Sequence, residues 1–190
     1  KTKIPMSIRP LYRKLKQRCR LYRKINWCKS LYFNFKYFSF STARKLPILF
    51  YGRVHFGKLK GRITLPDEIH MGMVGFGQPY ELVTRARGIA QIHIEGQLIF
   101  KGYVQFGLDY LLHLGPEGIL TMGHMASVAS NSKVICHQAI NFGDYARLGS
   151  EAQVIDTNFH AMRTVSTNTP MPMRGPISIG SYNFVSNRVT

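Results

Sequence analysis

His160 stands two residues after Asn158 and four after Asp156, in the stretch Asp156-Thr157-Asn158-Phe159-His160. An imidazole titrates near neutrality, so a histidine on a loop can take the proton of a hydroxyl as that hydroxyl attacks a carbonyl. A side-chain amide such as that of Asn158 can donate to the developing oxyanion. A carboxylate such as that of Asp156 can hold the second ring nitrogen and fix its tautomer. These residue types at this spacing suit direct transfer to an alcohol, with no covalent nucleophile. The other readings of His160 are a metal ligand and a plain loop residue. The remaining six histidines offer less: His93, His113, His124 and His137 read as outward-facing or hydrogen-bonded structural residues, and His55 and His70 have no partner that spacing suggests.

The stretch that carries His160 interrupts a six-residue rhythm. Phe142-Gly143-Asp144-Tyr145-Ala146-Arg147 and Leu148-Gly149-Ser150-Glu151-Ala152-Gln153 are tandem hexads, continued by Val154-Ile155-Asp156. Each opens with an apolar residue and has a small one four places on. Ile94, Phe100 and Phe106 keep the spacing, as do Met122, Val128 and Val134, and it resumes over Ile179–Thr190. A short fixed period is the mark of a solenoid, here a left-handed parallel β-helix in which each hexad is one side of a triangular coil. The apolar residue points inward, and the small one lets the corner turn. The register slips by two between Phe106 and Leu114 and between Val134 and Phe142, which a bulge at a corner would absorb. A β-sandwich of period-two strands is the rival, and the tandem hexads favour the solenoid.

Residues 157–176 break the rhythm and hold three of the nine prolines. A structureless stretch of that length in a compact domain is usually a lid or a binding loop. It can fold over its own prism or reach a neighbouring chain. The chain divides at about residue 50 into a basic, aromatic N-terminal segment, 1–50, and a β-helix domain, 51–190. Ser7 to about Ser30 reads as a basic helix. An aromatic belt from Trp27 to Phe40, interleaved with Lys29 and Lys36, follows, and Lys45–Tyr51 reads as an entry strand. The first 62 residues hold 18 of the 26 basic side chains, and the first acid is Asp67. Residues 67–190 carry eight basic and nine acidic residues, a net of −1, so the net +17 belongs to the first third. That segment can cap the open end of the solenoid, touch an anionic membrane, or bind nucleic acid. No nucleic-acid fold accompanies it, so no nucleic acid is expected. Three cysteines without a CxxC pair fit a reducing, cytoplasmic setting. No apolar run approaches the roughly 20 residues of a membrane span. The rhythm is still running at Thr190, so further coils or a capping segment are expected to follow.

The repeats, the Ile155–His160 stretch, the loop and the restart Gly175-Pro176-Ile177-Ser178-Ile179-Gly180 resemble the hexapeptide-repeat acyltransferases. Within that family they resemble the O-acetyltransferases of bacterial surface-polysaccharide synthesis, whose N-terminal segment is similar to Leu31–Phe38 through Lys45–Ile48. The resemblance covers about residues 30–190. It implies acetyl-CoA as donor, a sugar or lipid-linked glycan as acceptor, a homotrimer with sites between subunits, and His160 as the catalytic histidine. It implies donor contacts at Ser178, Gly180 and Ser186, although Phe184-Val185-Ser186 stands where the family has Trp-Ile-Gly. No metal is expected, and the setting is the cytoplasm, including the inner face of the membrane. The alternative is a non-catalytic β-helix scaffold or a zinc enzyme like the β-helical carbonic anhydrases. For zinc, His113, His124, His137 and His160 would have to line one corner, but their spacings of 11, 13 and 23 are not multiples of a coil of about 20.

Overall fold

The computed structural model describes residues 22–79 and 85–190. Most of the expected basic helix, up to residue 21, and residues 80–84 lie outside the described residues. The described part is a three-sided parallel β-helix with a helical, aromatic N-terminal cap. Its first coil is β1 (Ile48–Phe50), β2 (His55–Leu59) and β3 (Arg62–Thr64). The second is β4 (Val74–Phe76), β5 (Gln91–Ile94) and β6 (Gln97–Phe100). The third is β7 (Val104–Phe106), β8 (Leu111–Leu114) and β9 (Ile119–Met122). The fourth is β10 (Ala126–Val128), β11 (Lys133–Cys136) and β12 (Ala139–Phe142). The fifth starts with β13 (Arg147–Leu148) and β14 (Gln153–Ile155). It is then interrupted by an arm holding β15 (Met162–Arg163) and β16 (Pro170–Met171), and closes with β17 (Ile177–Ile179). β18 (Phe184–Val185) opens the next turn. Every third strand stacks in parallel on the last, giving a six-stranded face from β1 to β18 and two five-stranded faces, β2 to β14 and β3 to β17.

Alternate side chains of each strand point into the prism and stack on their register partners, as the period of two requires. On the first face Phe50, Phe76, Phe106, Val128 and Leu148 form one column. On the second, Ile92, Leu112, Val134 and Val154 do the same. On the third the column is Leu98, Leu120, Ile140 and Ile177. The first column changes from stacked rings (Phe76 on Phe106 at 4.5 Å) to aliphatic chains toward the C-terminal end.

One expectation about the rhythm needs correcting. The register slips are not corner bulges. Phe106 to Leu112 and Val134 to Ile140 keep the six-residue step, and the extra two residues lie within four-residue strands whose first and second inward positions are both buried (Leu112 and Leu114, Ile140 and Phe142). The true corner insertion is Pro116-Glu117: four residues separate Leu114 from Ile119, where two separate their partners Cys136 and Ala139. The small residue four places on is buried in the corner (Ala126, Ser132, Ala146, Ala152), directly after a residue held at positive φ. The turning residues are Met125, Asn131, Tyr145, Glu151, Tyr182 and Arg188, all at φ 58 to 60°. Glycine is needed where coils approach each other: a Cβ on Gly143 would sit 2.5 Å from the Ser181 nitrogen.

The first coil would expose a strand edge, which needs cover. Helix α1 (Trp27–Tyr37) supplies it, followed by the short α2 (Phe40–Ala43). Asn26 caps α1 by accepting the Lys29 amide at 3.1 Å. On the buried face of α1, Phe33 packs against Phe50 and Phe56, with ring centroids 4.9 and 5.6 Å away. Asn34 reaches the edge of β1, donating to the Ile48 carbonyl at 2.7 Å and accepting its N–H at 3.2 Å. Ser30 Oγ accepts the Phe50 N–H at 2.9 Å. Two side chains thus stand in for a missing strand.

Candidate functional site

One edge of the prism, between the second and third faces, gathers the chemistry-bearing groups. Coil by coil its corners are Lys60-Gly61, Glu95-Gly96, Gly115–Gly118, His137-Gln138 and the root of the arm. The arm leaves after β14, where its two strands bond to each other before it rejoins at β17. Asn158 N–H donates to the Met173 carbonyl at 3.0 Å, Gly175 N–H to the Asp156 carbonyl at 3.0 Å, and Thr157 bridges Arg174. Further out β15 and β16 pair antiparallel, so the long loop is a hairpin. Its apolar side chains face solvent: Val165 is fully exposed, and Phe159, Met162, Met171 and Met173 are also exposed.

The three residues read as a catalytic set are differently placed. His160 is exposed on the arm, next to Phe159, whose backbone sits at φ 59°. Among the described residues its ring has no hydrogen-bond or ion-pair partner. Asn158 is half-buried, and its side-chain oxygen is buried with no donor. Asp156 is buried, and both of its oxygens are engaged by the previous coil: Oδ1 accepts the His137 N–H and Oδ2 the Gln138 N–H, each at 2.7 Å. Its carboxylate therefore pins the corner from which the arm departs.

The residues expected at the donor site do not converge on this edge. Ser178 lies on β17, where its Oγ accepts from Asn141 Nδ2 at 3.3 Å. Gly180 is at the next corner, between the third and first faces, and Ser186 is at the corner after β18. These three positions spread from the third face to the remaining edges.

A histidine ladder runs beside the arm's root and was missed from the sequence. His93 and His113 stack at 4.5 Å and 13°, His113 and His137 at 5.3 Å and 24°, and Phe159 closes the row edge-on to His137 at 5.3 Å. The signal was the 20-residue step from His93 to His113, one full coil, which places them in register. His137 joins the row off register: the partner of His113 on the next coil is Ile135, and His137 lies two residues further on, at the corner, so its spacing from His113 carries no signal. His93 Nδ1 accepts the Lys58 N–H at 3.3 Å, which leaves Nε2 as the donor to Glu95 Oε1 at 2.8 Å. The Glu95 carboxyl is held below its ordinary range, by that hydrogen bond first and by Lys58 next. Burial, then the neighbouring His93 and His137, push His113 down, so its ring favours the neutral form. His137 Nε2 is buried with no partner among the described residues. Among the described residues no three His, Cys, Asp or Glu side chains are grouped to hold a metal ion.

Above the arm the same edge is grooved. Near its root lies a recess of about 160 Å³ between Pro116, Glu117, His137 and Arg174. Arg174 pairs with Glu117 and donates to the His137 carbonyl at 3.4 Å. Toward the cap the edge opens into a groove of about 930 Å³, with Lys36, Tyr37, Lys60 and Arg62 at its head and Glu95 and Glu117 further down. The Tyr37 hydroxyl is buried with no partner among the described residues, and burial pushes it up to about 12. Buried polar atoms are nearly always paired, and along this edge three have no partner among the described residues: Tyr37 Oη, His137 Nε2 and Asn158 Oδ1.

No family model, curated protein or solved structure matches this chain.

Proposed function

We propose that this chain is an O-acetyltransferase of the hexapeptide-repeat kind, moving an acetyl group from acetyl-CoA to a sugar hydroxyl in the synthesis of a surface polysaccharide. The observation that carries the reading is the interruption of the coil: a hairpin arm leaves one edge and offers an unpartnered, exposed imidazole, His160, beside two orphaned polar atoms at its root. In the proposed step the His160 ring takes the acceptor hydroxyl's proton as the oxygen attacks the thioester carbonyl. The tetrahedral oxyanion accepts from the Asn158 amide. Its collapse breaks the C–S bond, and the thiolate leaves with the proton returned by the imidazolium. Asp156 supports the step indirectly, by holding the arm's root.

The exposed apolar side chains of the arm suit a neighbouring subunit, and a homotrimer with sites between subunits is part of this reading. Contact with the anionic inner face of the membrane is another part, supported by the charge of the first third of the chain. Ser178, Gly180 and Ser186 remain the proposed donor contacts; since they lie off the arm's edge, they would serve a site completed by a neighbour. A second reading assigns the base to His137, whose buried Nε2 has no partner.

The test is release of coenzyme A from acetyl-CoA, measured with a panel of nucleotide- and lipid-linked sugars and with product masses. An acceptor that gains one acetyl group supports the reading. No acetylated product from any of them, with folded protein and donor in excess, counts against it.

A further inference from the structure

We infer that the head of the edge groove is a binding site for a diphosphate ester, and specifically for the diphosphate of a lipid-linked acceptor. The site stands on Lys36, at the C-terminal end of α1, and on Lys60 and Arg62, at the first corner of the edge. All three line one groove, and among the described residues none of their side chains has a hydrogen-bond or ion-pair partner. The two carboxylates in the same groove are already engaged, Glu95 by Lys58 and His93 and Glu117 by Arg174. The head is thus an uncompensated set of three cations lining one groove. Guanidinium and ammonium groups grip phosphoryl oxygens through charge-assisted hydrogen bonds.

The surface around the groove points to the lipid source. Trp27, Leu31 and Phe35, spaced four residues apart along α1, are all exposed, and Phe40 beside them is 73 % exposed. They form an exposed stripe next to the buried Asn34, and Cys28 and Tyr32 continue the exposed arc round the helix to Lys36 and Lys29 on its far border. An exposed apolar arc with lysines at one border is a pattern of a helix lying at a lipid interface. The cap would hold the bilayer surface while the groove takes the diphosphate that emerges from it.

The same edge then sets a length. Four rungs separate Lys60 from the arm's root, on the order of 19 Å at about 4.8 Å per rung. A glycan held by its diphosphate at the head would present to His160 a sugar several units further along. This inference rests on the acceptor side of the proposed acetyl transfer.

The test follows the fluorescence of Trp27, the single tryptophan, in the full chain with no acyl donor present. The probes are geranyl diphosphate, geraniol, inorganic pyrophosphate and coenzyme A. Geranyl diphosphate is expected to bind at least about tenfold more tightly than geraniol, to be displaced by pyrophosphate, and to weaken with salt. Replacing Lys60→Gln together with Arg62→Gln should weaken it by about tenfold or more, with an unchanged thermal melt. Lys36→Gln, on an exposed helix position, provides an independent second variant. Equal binding of geraniol, or full affinity in both variants, overturns the site. Displacement by coenzyme A as readily as by pyrophosphate overturns the lipid assignment and gives the groove to the donor. Protein that binds the diphosphate but acetylates nothing leaves this site standing and speaks against the acetyltransferase alone.

Discussion

The His113 ring lies parallel to that of His93, 4.5 Å away and 13° from coplanar, on adjacent coils of the second face. Two imidazoles at that separation cannot both be protonated cheaply, and His137 stacks on the other side. The ladder therefore contains a charge conflict that proton concentration controls.

Acid should destabilise the fold through His113. Its folded-state pKa lies below the ordinary 6.5, chiefly by burial and then by His93 and His137. Between the lowered value and 6.5 the unfolded chain binds more protons than the folded one, so stability falls as pH drops through that window and is unaffected well above 6.5. The groups facing the ring are His93, Glu95, Lys58 and His137; Glu95 favours the protonated ring, and the other three oppose it. Glu95 titrates lower, since its own pKa is held below 4.5, so its loss comes in a separate, more acidic window. Melting temperatures should drop between pH 7.5 and 5.5, and His113→Asn should flatten that drop. An equal drop in the variant would remove His113 as the cause.

The cap should matter more than its surface position suggests. Asn34 satisfies both backbone groups of Ile48 on the first strand, and all are buried. Asn34→Ala leaves a buried N–H and C=O unpaired, at a cost of about 2 kcal/mol. Urea denaturation should show a lower midpoint with an unchanged slope. A cost below about 0.5 kcal/mol would mean that water replaces the amide.

The fold was legible because inward side chains recur at six-residue steps that composition cannot mimic. The hexads at Phe142 and Leu148 placed β12, β13 and β14 on successive faces before any coordinates. The corner at Pro116-Glu117 was not legible, because a two-residue insertion shifts the count without changing residue character. The stacking of His137 on His113 was not legible either, because His137 lies off the register that pairs His113 with Ile135. The candidate site was half legible. His160 stood out because the rhythm stops beside it. The fate of Asp156 did not, because its partners are backbone amides one coil earlier, and main-chain donors leave no trace in residue types. Lys36 and Lys60 were lost in a strongly basic segment, where only the fold distinguishes a cation in a groove from one in solvent.

Asp156 and Cys136 form a second testable pair. The Cys136 thiol is buried, and burial first, with Asp156 next, pushes it up to about 12. It should resist alkylation at pH 8 while the exposed Cys28 reacts. Asp156→Ala removes the acceptor of the His137 and Gln138 amides and should cost about 2 kcal/mol. It should also open Cys136 to labelling, read by peptide mass spectrometry. Retained protection with retained stability would show that the corner does not depend on the carboxylate.

The choice of catalytic base can be decided by two substitutions and a pH profile. If His160 is the base, His160→Ala lowers kcat/KM by on the order of 10³-fold with the melt unchanged, because the ring is exposed and partnerless. The acidic limb of the wild-type profile, where a protonated imidazole cannot accept, should vanish from what activity remains. His137→Ala should then be mild and leave that limb in place. Its ring touches Phe159 and His113, so its loss would loosen the arm and raise KM more than it lowers kcat. The reverse pattern, a collapsed kcat and a lost limb in His137→Ala with near-normal turnover in His160→Ala, moves the chemistry from the arm to the ladder. His137 Nε2 would then be the proton acceptor, with the arm reduced to a lid.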